Sequence, residues 1–163
     1  MSRISRDDGI PSAGTDYWVY FHHPNPSIVE KPAETDDVVE DGKWMLFYPK
    51  SELDARWKEA CESVLASRFG VVRMMKVSTF LENPRSSDPD KGVIILDTPR
   101  ANKDVVMETG RLIMETMQYH VTMYFKTNVQ TRGGTAATGQ LTNHTLYLRS
   151  QLRYQDVFSD EFP

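Results

Sequence analysis

The sequence predicts a single α+β domain: a mainly antiparallel sheet of about six strands, covered on one face by two long helices. Three observations predict it. The chain has 163 residues, enough to bury one sizeable core. Two stretches carry apolar residues at helical spacing. Short aromatic or β-branched runs surround them in the order β-β-α-β-β-α-β-β, joined mainly as hairpins, which favours an antiparallel sheet with its helices on one side.

The run Tyr17-Trp18-Val19-Tyr20-Phe21 reads as the first strand, stopped by Pro24 and Pro26. Residues 24–42, rich in Pro, Asp and Glu, read as a long acidic loop. Residues 44–48 form the second strand, which Pro49 ends. Ser51 is placed to cap a helix, with Glu52 and Asp54 in the first turn where they complement the dipole. Leu53, Trp57, Ala60, Cys61, Val64 and Leu65 make its apolar stripe, and Phe69-Gly70 closes it. Residues 71–78 and 92–96 are the third and fourth strands, with a polar loop over 82–91 between them. Asn102 caps a second helix that carries Val106, Gly110, Ile113 and Met117 on one face. Residues 120–126 and 144–149 are the fifth and sixth strands, separated by a Thr/Gly-rich loop over 127–140. Residues 1–15 are expected to form a disordered arm, 16–150 the domain, and 151–163 a fraying tail.

Composition narrows the function. Apolar residues make up 39% and charged residues 26%, with a formal net charge of -4 and a pI near 5.6. A uniformly basic nucleic-acid binder is therefore not expected, although a local basic pocket is compatible with that balance. Cys61 is the single cysteine, so neither an internal disulfide nor a cysteine-based zinc cluster forms. The residues after Met1 are polar, with no signal-peptide core, and no run approaches the roughly 18 apolar residues of a membrane span. A cytoplasmic or nuclear location and no membrane partner are the expectations. The sequence implies no cofactor.

The stretch Gly42-Lys43-Trp44-Met45-Leu46, followed by Leu53-Asp54 and Trp57, resembles one shared by translation initiation factor 4E and its relatives. Lys76-Val77-Ser78, then Val93-Ile94-Ile95-Leu96 with Thr98, then Val121-Thr122-Met123-Tyr124-Phe125-Lys126, keep step with that pattern. The likeness is greatest to the basophilic leukaemia expressed protein family, which is similar to initiation factor 4E in fold and has no settled function. It covers roughly residues 42–149. The resemblance implies a curved sheet backed by two helices, and phosphate-binding cations on the third and fourth strands and their loop. Two departures matter. Cap-binding members grip a methylated guanine between two tryptophans, and residues 32–40, where the second would fall, contain no Trp. The dorsal Trp that those factors use for partner peptides also has no counterpart.

Carried onto this sequence, the resemblance marks Trp18, Lys76, Ser78, Arg85 and Lys126 as candidate ligand-binding residues. Trp18 would stack on a base. Lys76 and Ser78 alternate onto one strand face and, with Arg85 and Lys126, would hold a phosphate chain. Solvated surface lysines are the simpler reading of Lys76, Lys91 and Lys126. Trp44 and Trp57 read as core.

Other motifs are weaker. His120-Val121-Thr122 fits one H-x-T element of two-histidine phosphoesterases, but the second candidate, His144-Thr145-Leu146, has its Thr misplaced. His22-His23 lack a spaced carboxylate or Cys partner, and neighbours in a strand point to opposite faces. Arg132-Gly133-Gly134-Thr135 lacks phosphate-loop spacing. The reading favoured is a non-catalytic binding domain, for a nucleotide or a capped or modified RNA 5′ end. The alternative is a protein-interaction module without nucleotide binding, and a phosphoesterase ranks third.

Overall fold

The structure, a computed structural model, describes residues 9–24, 38–39, 41–81, 89–128, 146–149 and 155–158. Its elements are a 3-10 turn (Pro11–Ala13), β1 (Trp18–His22), β2 (Val38–Val39), β3 (Gly42–Pro49), α1 (Lys50–Leu65) and β4 (Met74–Ser78). There follow β5 (Lys91–Thr98), β6 (Ala101–Asn102), α2 (Lys103–Thr116), β7 (Met123–Thr127), β8 (Leu146–Arg149) and β9 (Gln155–Phe158). The fold is α+β, as the pattern predicted. The main sheet runs β1-β4-β5-β3-β7-β8-β9 and every pairing in it is antiparallel. β2 and β6 pair separately.

Both helices cover the same face. Trp44, Leu46 and Tyr48 alternate inward along β3, meeting Leu96, Ile94 and Gly92 of β5 in register, and all but the glycine join the buried core. Gly92 is where α1 comes closest: an added Cβ would stand 2.3 Å from Leu53 Cδ2. On the same face the Trp44 indole N–H donates to the Val106 carbonyl of α2 at 3.1 Å, and its ring meets Phe125 edge-on at 5.3 Å. Trp57, Cys61 and Val64 of α1 and Val106, Met107, Ile113 and Met114 of α2 complete one continuous core. Burial pushes the Cys61 thiol pKa up.

The helix ends differ from the sequence reading. α1 begins at Lys50, and Ser51 lies inside its first turn rather than capping it. The Lys50 N–H bonds to the Asp90 carbonyl, which leads the chain into the helix one residue early. Asn102 does occupy the N-cap of α2, but without a side-chain cap bond. α1 closes before Phe69-Gly70, where Ser67 turns to φ 56 and the Ser67 and Arg68 N–H groups bond back to Val64 and Ser63. Gly70 then makes a second left-handed turn at φ 53, close against Thr109.

Three segments carry more structure than their composition suggested. Residues 9–15, expected within a disordered arm, are tied to α1. The Trp57 indole N–H donates to the Gly9 carbonyl at 2.8 Å, and the Ser12 N–H and hydroxyl both donate to the Asp54 carboxylate. Residues 1–8 lie outside the described residues. The acidic loop contains β2, which pairs with β6 ahead of α2. The expected tail contains β9, which extends the sheet beyond β8.

Candidate functional site

The face of the sheet turned away from the helices is the candidate site. Strand alternation puts Trp18, Tyr20 and His22 there from β1, and Met74, Lys76 and Ser78 from β4. β5 adds Val93, Ile95 and Asp97, β3 adds Lys43, Met45 and Phe47, and β7 adds Tyr124 and Lys126. The pairings align one row across this face: Tyr20 opposite Lys76, Lys76 opposite Ile95, Ile95 opposite Met45, and Met45 opposite Tyr124. Tyr147 takes the next register position. Ile95 is only 8% exposed yet stands outside the helix-side core, so its neighbours on this face cover it. Tyr20 and Phe47 remain 54% and 45% exposed, large apolar surfaces that a ligand or partner can use.

Cations occupy two neighbouring rows of the face, Lys43 and Lys126 in line with Asp97, and Lys76 in line with Ile95. Lys76 Nζ lies 4.2 Å from the centre of the Trp18 ring, a cation–π contact across the β1–β4 pair. Burial raises the pKa of the half-buried Asp97 above its ordinary value, while Lys43, Lys76 and His22 pull it back down. One carboxylate therefore sits among groups from β1, β3 and β4. Lys43 faces Asp97 on one side and Lys126 on the other. Lys126 is only 8% exposed, so Lys43 is the more accessible cation of that pair.

The structure brings together four of the five candidate residues on one face. Trp18 and Ser78 are register partners, and Lys76 adjoins both. The Ser78 hydroxyl accepts the Val93 N–H at 2.9 Å, which assigns it to bracing β4 against β5. Lys126 is three strands away from Lys76. Arg85 lies outside the described residues, as do His144 and residues 131–139. Lys91 stands exposed at the start of β5, at the opposite end from Lys43 and Asp97.

The H-x-T reading loses its geometry. β7 begins at Met123, so His120 and Thr122 lie ahead of the strand, and Val121 between them is 56% exposed. The chain is held here by Tyr119, whose hydroxyl accepts the Phe47 N–H. Among the described residues no three His, Cys, Asp or Glu are grouped as a metal site would require. No described helix is long and apolar enough to cross a membrane.

Sequence reasoning missed Lys43, Asp97 and Tyr20, and weighed His22 only as a metal ligand. The signal was present: Lys43 directly precedes the buried Trp44, and Asp97 directly follows the buried Leu96, so each points to the open face. A second hollow of about 450 Å³, lined by Ile10, Ala55, Trp57, Lys58 and Leu65, lies between the N-terminal segment and α1. It belongs to the helix layer and its wall is mostly apolar, whereas the open sheet face gathers several cations and aromatic rings. Neither a scan against protein-family models nor a search of curated proteins finds a match to this chain.

Proposed function

We propose that the chain is a non-catalytic binding domain of the initiation factor 4E-like type, related to the basophilic leukaemia expressed protein family. Its open sheet face takes a nucleotide or an RNA 5′ end. The observation that carries this reading is the Trp18–Lys76 pair on the open face of a protein of net charge -4. An aromatic ring offers a stacking surface to any base, and fixed ammonium groups attract phosphate. The antiparallel sheet with both helices on its other face supports the likeness in fold, which stays part of the proposal.

A preference for a methylated cap does not follow. Of the three tryptophans, Trp44 and Trp57 are 0% and 1% exposed, which leaves Trp18 alone to stack. A cationic base held by one ring gains one cation–π contact instead of two.

The second reading, a protein-interaction module, draws on Tyr17, Phe80 and Leu81. They are 44%, 41% and 45% exposed and close in the fold, since the Thr79 N–H bonds to the Tyr17 carbonyl. A thermal-shift titration with nucleoside mono- and triphosphates and cap analogues separates the two. Stabilisation that grows with ligand concentration and disappears in Lys76→Ala supports the nucleotide reading. No shift with any of these ligands leaves the protein-interaction module as the better account.

A further inference from the structure

The cations and rings of the open face are too widely spaced for one nucleotide. Trp18 and Lys76 sit on β1 and β4, while Lys43 and Lys126 sit on β3 and β7. With strands about 4.8 Å apart, Lys76 and Lys126 are on the order of 16 Å from each other along the diagonal of the sheet. Tyr124 lies in the Lys76 row on the far strand, and Ile95 and Met45 fill the row between them. The face thus has an aromatic ring and a cation at each side, with an apolar floor between. That repeat matches a chain whose monomers each carry a flat base and a phosphate.

From this arrangement we propose that the open face is a track for single-stranded nucleic acid, laid across the strands from Trp18 and Lys76 on one side to Tyr124 and Lys43 on the other. The inference rests on the nucleotide reading above and adds a second subsite to it. Trp18 and Lys76 hold one nucleotide, and Lys43 meets a phosphate farther along the chain. Asp97 lies on the strand between those of the two lysines and offsets their mutual repulsion in the unliganded face. Lysines set beside aromatic rings on one sheet face favour a polyanion that carries bases over a protein partner.

The test is anisotropy of fluorescein-labelled oligouridylates from about two to about eight nucleotides, a range that brackets the smaller single-strand sites. Uridine monophosphate serves as the competitor. Matched deoxythymidylates distinguish RNA from DNA as the source of the same chemistry. Affinity should rise about fivefold or more for each added stacked base and level off near four nucleotides. Its salt slope should be at least that of two phosphate contacts, about -1.4 for a single strand. Lys43→Ala should weaken the longer oligomers about tenfold, an effect equal to one charged contact, and leave competition by uridine monophosphate unchanged. Lys76→Ala should weaken both. If the monophosphate binds but length adds nothing and Lys43→Ala has no effect, the track is wrong and the single-nucleotide reading stands. If neither monophosphate nor oligomer binds while the protein melts normally, both are wrong and the face is left to a protein partner.

Discussion

Lys76 holds its ammonium group 4.2 Å from the centre of the Trp18 ring, two side chains brought together by the antiparallel pairing of β1 with β4. The contact fixes a long, flexible side chain on a rigid strand, so less entropy is lost when Lys76 meets an anion. It also occupies one face of the Trp18 ring, so a stacking base would have to take the other. Replacing Lys76 by Ala should weaken nucleotide binding about tenfold, the usual worth of a charge-assisted contact, with the loss shrinking as salt rises. Lys58→Ala, exposed on α1 in the helix layer across the sheet, should change binding less than twofold, within the error of a surface substitution. Equal losses in the two variants, measured by calorimetry at low and high salt, would place the ligand elsewhere.

Asp97 works against an anionic ligand. Asp97→Asn removes a negative charge from among Lys43, Lys76 and His22, so affinity for a nucleoside triphosphate should increase. The stability consequence has a definite sign. Because the folded-state pKa of Asp97 is raised, the native state binds a proton more readily than the unfolded state. Its contribution favours folding at low pH and is lost as pH rises from the ordinary carboxylate value through the raised one. The difference in melting temperature between wild type and Asp97→Asn should therefore change across that window, with the wild type relatively more stable on the acid side. A difference that is constant with pH would show that Asp97 is not the titrating group.

Tyr48 carries a cost that a single atom removes. Its ring is 6% exposed and packs edge-on against Tyr119 at 5.6 Å, while its buried hydroxyl has no hydrogen-bond partner among the described residues. Burial raises its pKa, so the neutral hydroxyl is kept. Tyr48→Phe should stabilise the domain by about 1 kcal/mol, the low end of the penalty for an unsatisfied buried polar group. Urea melts check this, and a loss of stability would mean that the hydroxyl is satisfied in solution.

Trp57 joins the core to the N-terminal segment. Trp57→Ala should cost about 3–5 kcal/mol, as for other fully buried aromatics. Trp57→Phe keeps most of the packing but loses the N–H donated to Gly9, and should cost about 1 kcal/mol or more. It should also make residues 9–14 more open to proteolysis. Denaturant melts and limited digestion read the two effects separately. A cost below about 1 kcal/mol for Trp57→Ala would contradict its place in the core.

Much of this fold was legible because side-chain periodicity records burial directly. Trp44 and Leu46 alternate on β3, and Leu53, Trp57 and Val64 repeat along α1, so their shared core could be read from spacing alone. The N-terminal turn could not. Its order depends on one indole N–H and on Asp54, partners more than 40 residues away that local composition does not reveal. β2, β6 and β9 span only two to four residues, and strands so short have little pattern of their own. In the proposed site, Lys76 is marked by the resemblance to a strand that carries phosphate-binding cations. Asp97 and Lys43 are not, because the meaning of each depends on strands paired across the sheet.

The open sheet face is proposed to bind a nucleotide. Trp18 makes it directly measurable, since the indoles of Trp44 and Trp57 are buried and bonded to Val106 and Gly9. Heteronuclear NMR spectra recorded during a titration with a short oligouridylate should show the Trp18 indole signal moving with the amides of Lys76, Ile95 and Lys43. The signals of Trp44, Trp57 and the exposed side of α1 should stay in place. Shifts confined to α1 and the N-terminal segment, or none at saturating oligomer, would contradict it.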